Sequence, residues 1–228
     1  DHARGKKDVI SAKRTRQKVA VIGSGPAVLS AAAMLSAKGY PVTVFEASHV
    51  LGGTLGYAYA SFRLPAKTVE KATDHLRSSG VEFLTNCLFG RTQTFDGLSE
   101  QGFSAALVTT GAAMIRPLGI PGENAAGVVT ADEVMKLLRW MRAGEQPFTT
   151  PLSLGMKVVV AGSNDMAFDC ARTLVRLKRQ VTVVVRGSES EMQTTDRIVR
   201  EAAEEGVKFK TFANPMKVVT DTVGCVRG

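Results

Sequence analysis

The first regular pattern in the chain begins at Lys18. "KVAVI", Lys18–Ile22, is a β-branched, alanine-containing run with no polar residue after the lysine, the pattern of a strand buried on both faces. "GSGPAV" follows, and from Pro26 to Lys38 alanines, leucines and a methionine recur at helical spacing. Gly39 stands where a left-handed residue ends a helix, and Pro41 blocks its continuation. A second apolar run, Val42 to Phe45, closes on Glu46. The same plan restarts at Lys157: strand Val158–Ala161, a turn at Gly162, helix Met166–Leu177, strand Val181–Val185. Between the two units lie a third strand, Gly80–Cys87, a strand at Ser104–Thr110 and an amphipathic helix, Glu133–Arg142, carrying the only tryptophan, Trp140. Ala143 to Gly155 is rich in Pro, Gly and Thr and reads as a linker. A helix at Thr195–Glu205 and hairpin strands close the chain. The pattern predicts an α/β protein with a basic arm (1–17) and two Rossmann-like domains (18–150 and 156–228), the second one partial.

The first turn carries specific chemistry. A glycine-rich turn between strand and helix, with an acid about 20 residues on at the end of the second strand, is a dinucleotide-binding arrangement. Gly23 permits the tight turn and Gly25 lets the backbone approach a pyrophosphate. Ser24, Pro26 and Ala27 complete the stretch, which opens a helix N-terminus toward phosphate oxygens. Glu46 is placed to accept hydrogen bonds from ribose hydroxyls. The third glycine of the pattern is Val28, and a side chain at this helix–strand contact is expected to cost about 1–3 kcal/mol if nothing relieves it.

Composition narrows the class. An apolar share of 44% with 22 glycines fits a globular domain protein, and no stretch of 18 apolar residues occurs. Cys87, Cys170 and Cys225 form neither a CxxC pair nor a metal-ligand spacing, so they read as reduced structural cysteines. A reducing compartment follows as the expectation: cytoplasm, or a mitochondrial or plastid matrix. His2, His49 and His75 read as ordinary surface residues. The net charge of +8 is concentrated in Arg4, Lys6, Lys7, Lys13, Arg14, Arg16 and Lys18, against only Asp1 and Asp8 over the same stretch. Such an arm binds nucleic acid or an acidic partner through counterion release, or is a solvated tail.

"KVAVIGSGPAVLSAAAMLSAKGYPVTVFEA", "LGGTLGYAYASFRLP", "VTTGA", "LGIPGE" and "VTVVVRGSESEM" together resemble the glutamate synthase small subunit and the electron-entry region of dihydropyrimidine dehydrogenase, in order, from about Lys18 to the end. The resemblance implies an FAD site in the first domain and an NADPH site in the second, with electrons leaving to a partner subunit or larger assembly. It implies FAD-binding roles for Gly23, Gly25 and Glu46. It also implies close backbone passage at Gly52 and Gly53, passage of the chain by the FAD at Thr110 and Gly111, and a cofactor-binding role for the "FRLP" arginine, Arg63. In the second domain the corresponding positions are Gly162 and Arg186. No acid or base is required in such a hydride transfer, since orientation carries most of the catalysis.

The departures from that family are local. Its GGGNTA turn is here Gly162-Ser163-Asn164-Asp165-Met166-Ala167, which places a side chain where the pyrophosphate approaches and a carboxylate beside it. At about 5 Å and an effective dielectric of about 20, that charge repels a phosphate by about 3 kcal/mol. The family's arginine pair is here Arg186-Gly187. Where the family usually reads Gly-Ile-Pro this chain has Ala58-Tyr59-Ala60, and Tyr57 and Tyr59 can stack on a ring system or serve as core or interface aromatics. The family's C-terminal return to the FAD domain and its cysteine-rich electron exit are not found in this sequence. Two functions fit: an FAD-dependent oxidoreductase module passing electrons from NAD(P)H to a partner, or a catalytically degenerate structural subunit of a larger assembly, ribonucleoprotein included.

Overall fold

The computed structural model describes residues 15–112, 116–142 and 154–227. They form two compact units, Asp1–Gly56 with Leu64–Ala113, and Tyr57–Arg63 with Met114–Gly228. Arg4, Lys6, Lys7, Lys13 and Arg14 of the basic arm, and most of the expected linker, lie outside the described residues.

The first unit runs β1 (Lys18–Ile22), α1 (Pro26–Ala37), β2 (Val42–Phe45), a single turn α2 (Thr54–Tyr57), α3 (Ala66–Ser78), β3 (Glu82–Leu84), α4 (Phe95–Glu100) and β4 (Phe103–Val108). Its four strands are parallel in the order β3-β2-β1-β4. Val19 to Ile22 and all of β2 are buried, as their unbroken apolar runs require. Val28 is fully buried in one core cluster with Val19, Val21, Ala32, Val42 and Val44. The volume that a glycine would leave open at this helix–strand contact is thus filled by the valine within an apolar core. Helix α3 was not evident in the sequence. It buries Val69, Thr73 and Leu76 at helical spacing, but among lysines, glutamate and aspartate the stripe is thin.

The second unit contains α5 (Ala131–Arg142), β5 (Lys157–Ala161), α6 (Asp165–Arg176), β6 (Gln180–Val184), a short 3₁₀ turn at Glu189–Glu191, α7 (Asp196–Glu204) and β7 (Lys208–Lys210). The parallel sheet is ordered β5-β6-β7. Helix α6 supplies the centre of the core, with Phe168, Ala171 and Leu174 buried against Val181 and Val183. The expected terminal hairpin is reduced to an antiparallel bridge between Thr220 and Val226. By its contacts α5 belongs to this unit, as does the excursion Tyr57–Arg63.

Candidate functional site

At the end of β1 the chain turns through Gly23, whose φ is +103° and whose N–H donates to the Phe45 carbonyl at 2.8 Å. A Cβ at Gly23 would lie 3.0 Å from the Thr109 carbonyl oxygen, so glycine is what lets the end of β4 lie against the turn. Gly53, at φ +53°, brings a second loop onto the turn, where a Cβ would stand 2.9 Å from the Gly25 Cα. Gly25 itself faces open space, with nothing within 4 Å of where its Cβ would be. Helix α1 starts there with Pro26 in its first turn, no side-chain cap and no acidic residue. Pro26, Ala27, Thr110 and Gly111 are exposed around this opening. The acid beside it is ordered from below. Ser24, 1% exposed, donates its hydroxyl to Glu46 Oε2 at 2.5 Å and accepts the Gly52 N–H at 3.0 Å. Glu46 Oε1 accepts the Ser48 N–H at 2.7 Å. An uncapped helix N-terminus, an unobstructed glycine and a fixed carboxylate fit the phosphate and ribose of an adenine dinucleotide.

At the end of β5 the same plan gives a different site. Asn164 caps α6, its Oδ1 accepting the Ala167 N–H at 3.1 Å, and Asp165 occupies the first turn. Asp165 accepts the Thr194 hydroxyl at 2.6 Å and pairs with Arg63 at 3.3 Å. Arg63 also pairs with Asp169 at 3.0 Å. Burial pushes the Asp169 carboxyl up against the pull of Arg63, while its neighbour Asp165 adds to the rise. For Arg63, burial acts to lower the pKa, but Asp169 and then Asp165 outweigh it and hold the guanidinium above its ordinary value. Further along, a Cβ at Gly187 would overlap the Glu191 carboxylate, which folds back to accept the Ser188 N–H at 2.7 Å. Arg186 is exposed. Asn164 and Asp165 of this turn are thus bonded to the protein's own groups.

Sequence reading missed why the "FR" of "FRLP" stands where it does. Asp165, Asp169, Arg172 and Arg176 fall on one face of α6 at helical spacing. Arg63 engages the two aspartates, and the Phe62 ring lies under the Arg176 and Arg172 guanidinium groups at 3.8 and 4.6 Å. The arginines in turn bond Glu205 of the α7 C-cap, at 2.6 Å each. That charged stripe, which runs from the half-exposed Asp165 through the buried Asp169 and Arg172 to the exposed Arg176, was the available signal. Tyr57 lies beneath Lys136 at 4.4 Å and Tyr59 beneath Arg63 at 5.6 Å. Arg63 is thus engaged within the second unit by Asp165 and Asp169. Burial raises the Cys170 thiol to about 12, which makes it an inert core group.

Residues 17–226 match the family described as pyridine nucleotide-disulphide oxidoreductase. The chain belongs to that family. It is 32% identical over 227 residues to the glutamate synthase (NADPH) small chain of Escherichia coli K12, covering 97% of this chain and 48% of that protein. It is 34% identical over 215 residues to the NADP(+)-dependent formate dehydrogenase subunit beta of Moorella thermoacetica, covering 93% and 29%. This family member therefore spans about half, or less, of those relatives. The FprA oxidoreductase of Mycobacterium tuberculosis, solved with NADPH, superposes with a TM-score of 0.72 at 20% identity, over 90% of this chain and 61% of that one. The two-unit α/β flavoprotein fold and the glutamate synthase small-subunit resemblance are both borne out. These likenesses lend the basic arm no nucleic-acid role. Among the described residues, no helix is long and apolar enough to cross a membrane, and no cluster of side chains could hold a metal ion.

Proposed function

We propose that this chain is the FAD-binding module of an electron-transfer assembly, with its nicotinamide-nucleotide side closed in the form described. The observation that carries the reading is the contrast at the two turns. Gly25 opens onto free space beside a fixed Glu46, whereas Asn164 and Asp165 are committed to the protein's own groups. Gly23, Gly25, Pro26, Ala27, Gly52, Gly53, Thr110 and Gly111 would line the FAD path, and Glu46 would take the adenine ribose. Bound there, FAD would supply two-electron acceptance and one-electron release, and the protein's part is to hold and orient it. The naming of relatives as subunits of glutamate synthase and formate dehydrogenase supports a protein partner as electron acceptor. In the second unit, Gly162 and Arg186 would contact a nicotinamide nucleotide only after Asp165 leaves Arg63 and Thr194. No hydride step is assigned to that turn.

A visible spectrum of the purified chain between about 350 and 550 nm, before and after NADPH, tests this, since the flavin ring carries the chemistry. The expected result is a bound flavin that NADPH does not bleach. Bleaching would mean that the second turn opens and that the chain is a complete NADPH–FAD unit. A folded, colourless chain that takes up no added FAD would favour the second reading, a structural subunit that keeps the fold without its cofactor. That reading draws on the self-satisfied turn at Asn164–Asp165.

A further inference from the structure

The hydroxyl of Ser24 is shut away from any ligand, yet it sits between the two loops that form the first site. Its proton has a determined destination. A backbone N–H can only donate, so the Gly52 N–H forces Ser24 Oγ to act as acceptor on that side. The hydroxyl proton is left for Glu46 Oε2, 2.5 Å away. The other carboxylate oxygen is held by the Ser48 N–H at 2.7 Å. A carboxylate offers about four lone-pair positions, two on each oxygen. These two bonds take one position on each oxygen, and Glu46 is 9% exposed. Two adjacent acceptors in a fixed plane match two adjacent hydroxyls.

We infer that Ser24 is a positioning residue for vicinal-diol recognition: it makes no contact with the cofactor, and it fixes the Glu46 carboxylate so that both oxygens face the 2′- and 3′-hydroxyls of the adenine ribose. The inference rests on the reading that the first unit holds the adenosine half of FAD. It assigns the serine between the two glycines a task different from direct cofactor contact. The same hydroxyl anchors Gly52, so the loop that carries Gly53 against Gly25 and the acid that reads the ribose share one buried pivot.

The test uses the full chain, stripped of flavin, and two probes, ADP and 2′,3′-dideoxy-ADP, titrated calorimetrically. The parent is expected to prefer ADP by about tenfold, the value of one well-made bond to a charged group. In Ser24→Ala, checked for folding by its thermal melt, that preference is expected to fall below about threefold, whatever happens to the affinities themselves. Glu46→Gln is expected to lose the preference as well, and adding Ser24→Ala to it to change the ratio no further, as residues acting through one another are non-additive. Loss of affinity for both probes by the same factor, with the preference intact, would make Ser24 a purely structural residue and overturn the inference. So would a Ser24→Ala effect that adds in full to that of Glu46→Gln. A parent that binds neither probe would instead remove the FAD reading itself, and this inference with it.

Discussion

Helices α1 and α6 begin in the same way, at a glycine turn after the first strand of a parallel sheet, and they treat their free N–H groups in opposite ways. Helix α1 has Gly25 at its N-cap, no side-chain bond to its first turn and no acid there. Helix α6 has Asn164 bonded to Ala167 and Asp165 in its first turn, itself tied to Arg63 and Thr194. A helix N-terminus needs an acceptor for its unpaired donors, and it takes one from the protein or from an anion. The first unit leaves that place open, and the second fills it from its own sequence. The lesson is that a binding turn and a stable turn compete for the same donors, so improving one spends the other.

The comparison breaks most clearly if the first turn is given the second turn's residue. At Gly25 the backbone is extended, φ −66° and ψ −179°, and an added Cβ meets nothing. Gly25→Asn is therefore expected to fold normally and to cap α1, gaining a few tenths of a kcal/mol of stability. Its side chain would stand in the pyrophosphate path, and FAD affinity should fall at least about a thousandfold, about 4 kcal/mol. Thermal melts and flavin titration of the same sample measure both. A variant that still binds FAD would show that the open space at Gly25 is not the route of the phosphates.

Much of this fold was open to a reader of the sequence. The strands β1, β2, β5 and β6 are unbroken apolar runs, and Gly39 and Pro41 end α1 where expected, because these are local signals. Helix α3 escaped because its buried stripe is one valine, one threonine and one leucine among charges. At the first site the glycines and Glu46 were readable, but the pivot at Ser24 was not, since its partners lie 22 and 28 residues away. Asp165 was readable as a hindrance to phosphate. That it is held by Arg63 and Thr194 was not, for those contacts span 102 and 29 residues. Periodicity reports which face is buried, and the partner of a buried charge is set by the tertiary fold.

Arg63 sharpens the comparison from the other side. Its partner Asp169 is 2% exposed, and truncating Arg63 to alanine leaves that carboxylate buried without its cation. Such losses cost about 3–5 kcal/mol, and because Arg63 is itself partly exposed the lower end, about 3 kcal/mol, is expected. Asp165→Asn, on a half-exposed group, should cost under about 1 kcal/mol. Urea unfolding of the two variants measures the difference. If Arg63→Ala instead keeps its stability and loses flavin, the arginine serves the FAD site, as the family resemblance implied.

The smallest effect separates the two ends of α6 by pH. At its far end Glu205 is held down to about 2, first by its bond from Arg176 and then, against burial, by Arg172. A carboxyl depressed in the folded state contributes stability that is fully present above its unfolded value, about 4.5, and is lost as the pH falls toward 2. Asp169 has the opposite sign. Its carboxyl is pushed up, so in the window just above the ordinary aspartate value the folded chain takes up a proton more readily, and lowering the pH there favours folding. Stability of the second unit should thus hold or rise slightly on first acidification and then fall between about pH 4.5 and 2, by about 1 kcal/mol once solvent screening of the exposed Arg176 is allowed for. Urea midpoints at pH 5 and pH 2.5 for the parent and for Glu205→Gln measure it. The glutamine variant should lose that part of the acid limb which the two arginines create, and added salt should shrink the difference between the two proteins. An acid limb unchanged by Glu205→Gln would place the acid sensitivity elsewhere and leave the Arg172–Arg176–Glu205 cluster as packing around Phe62.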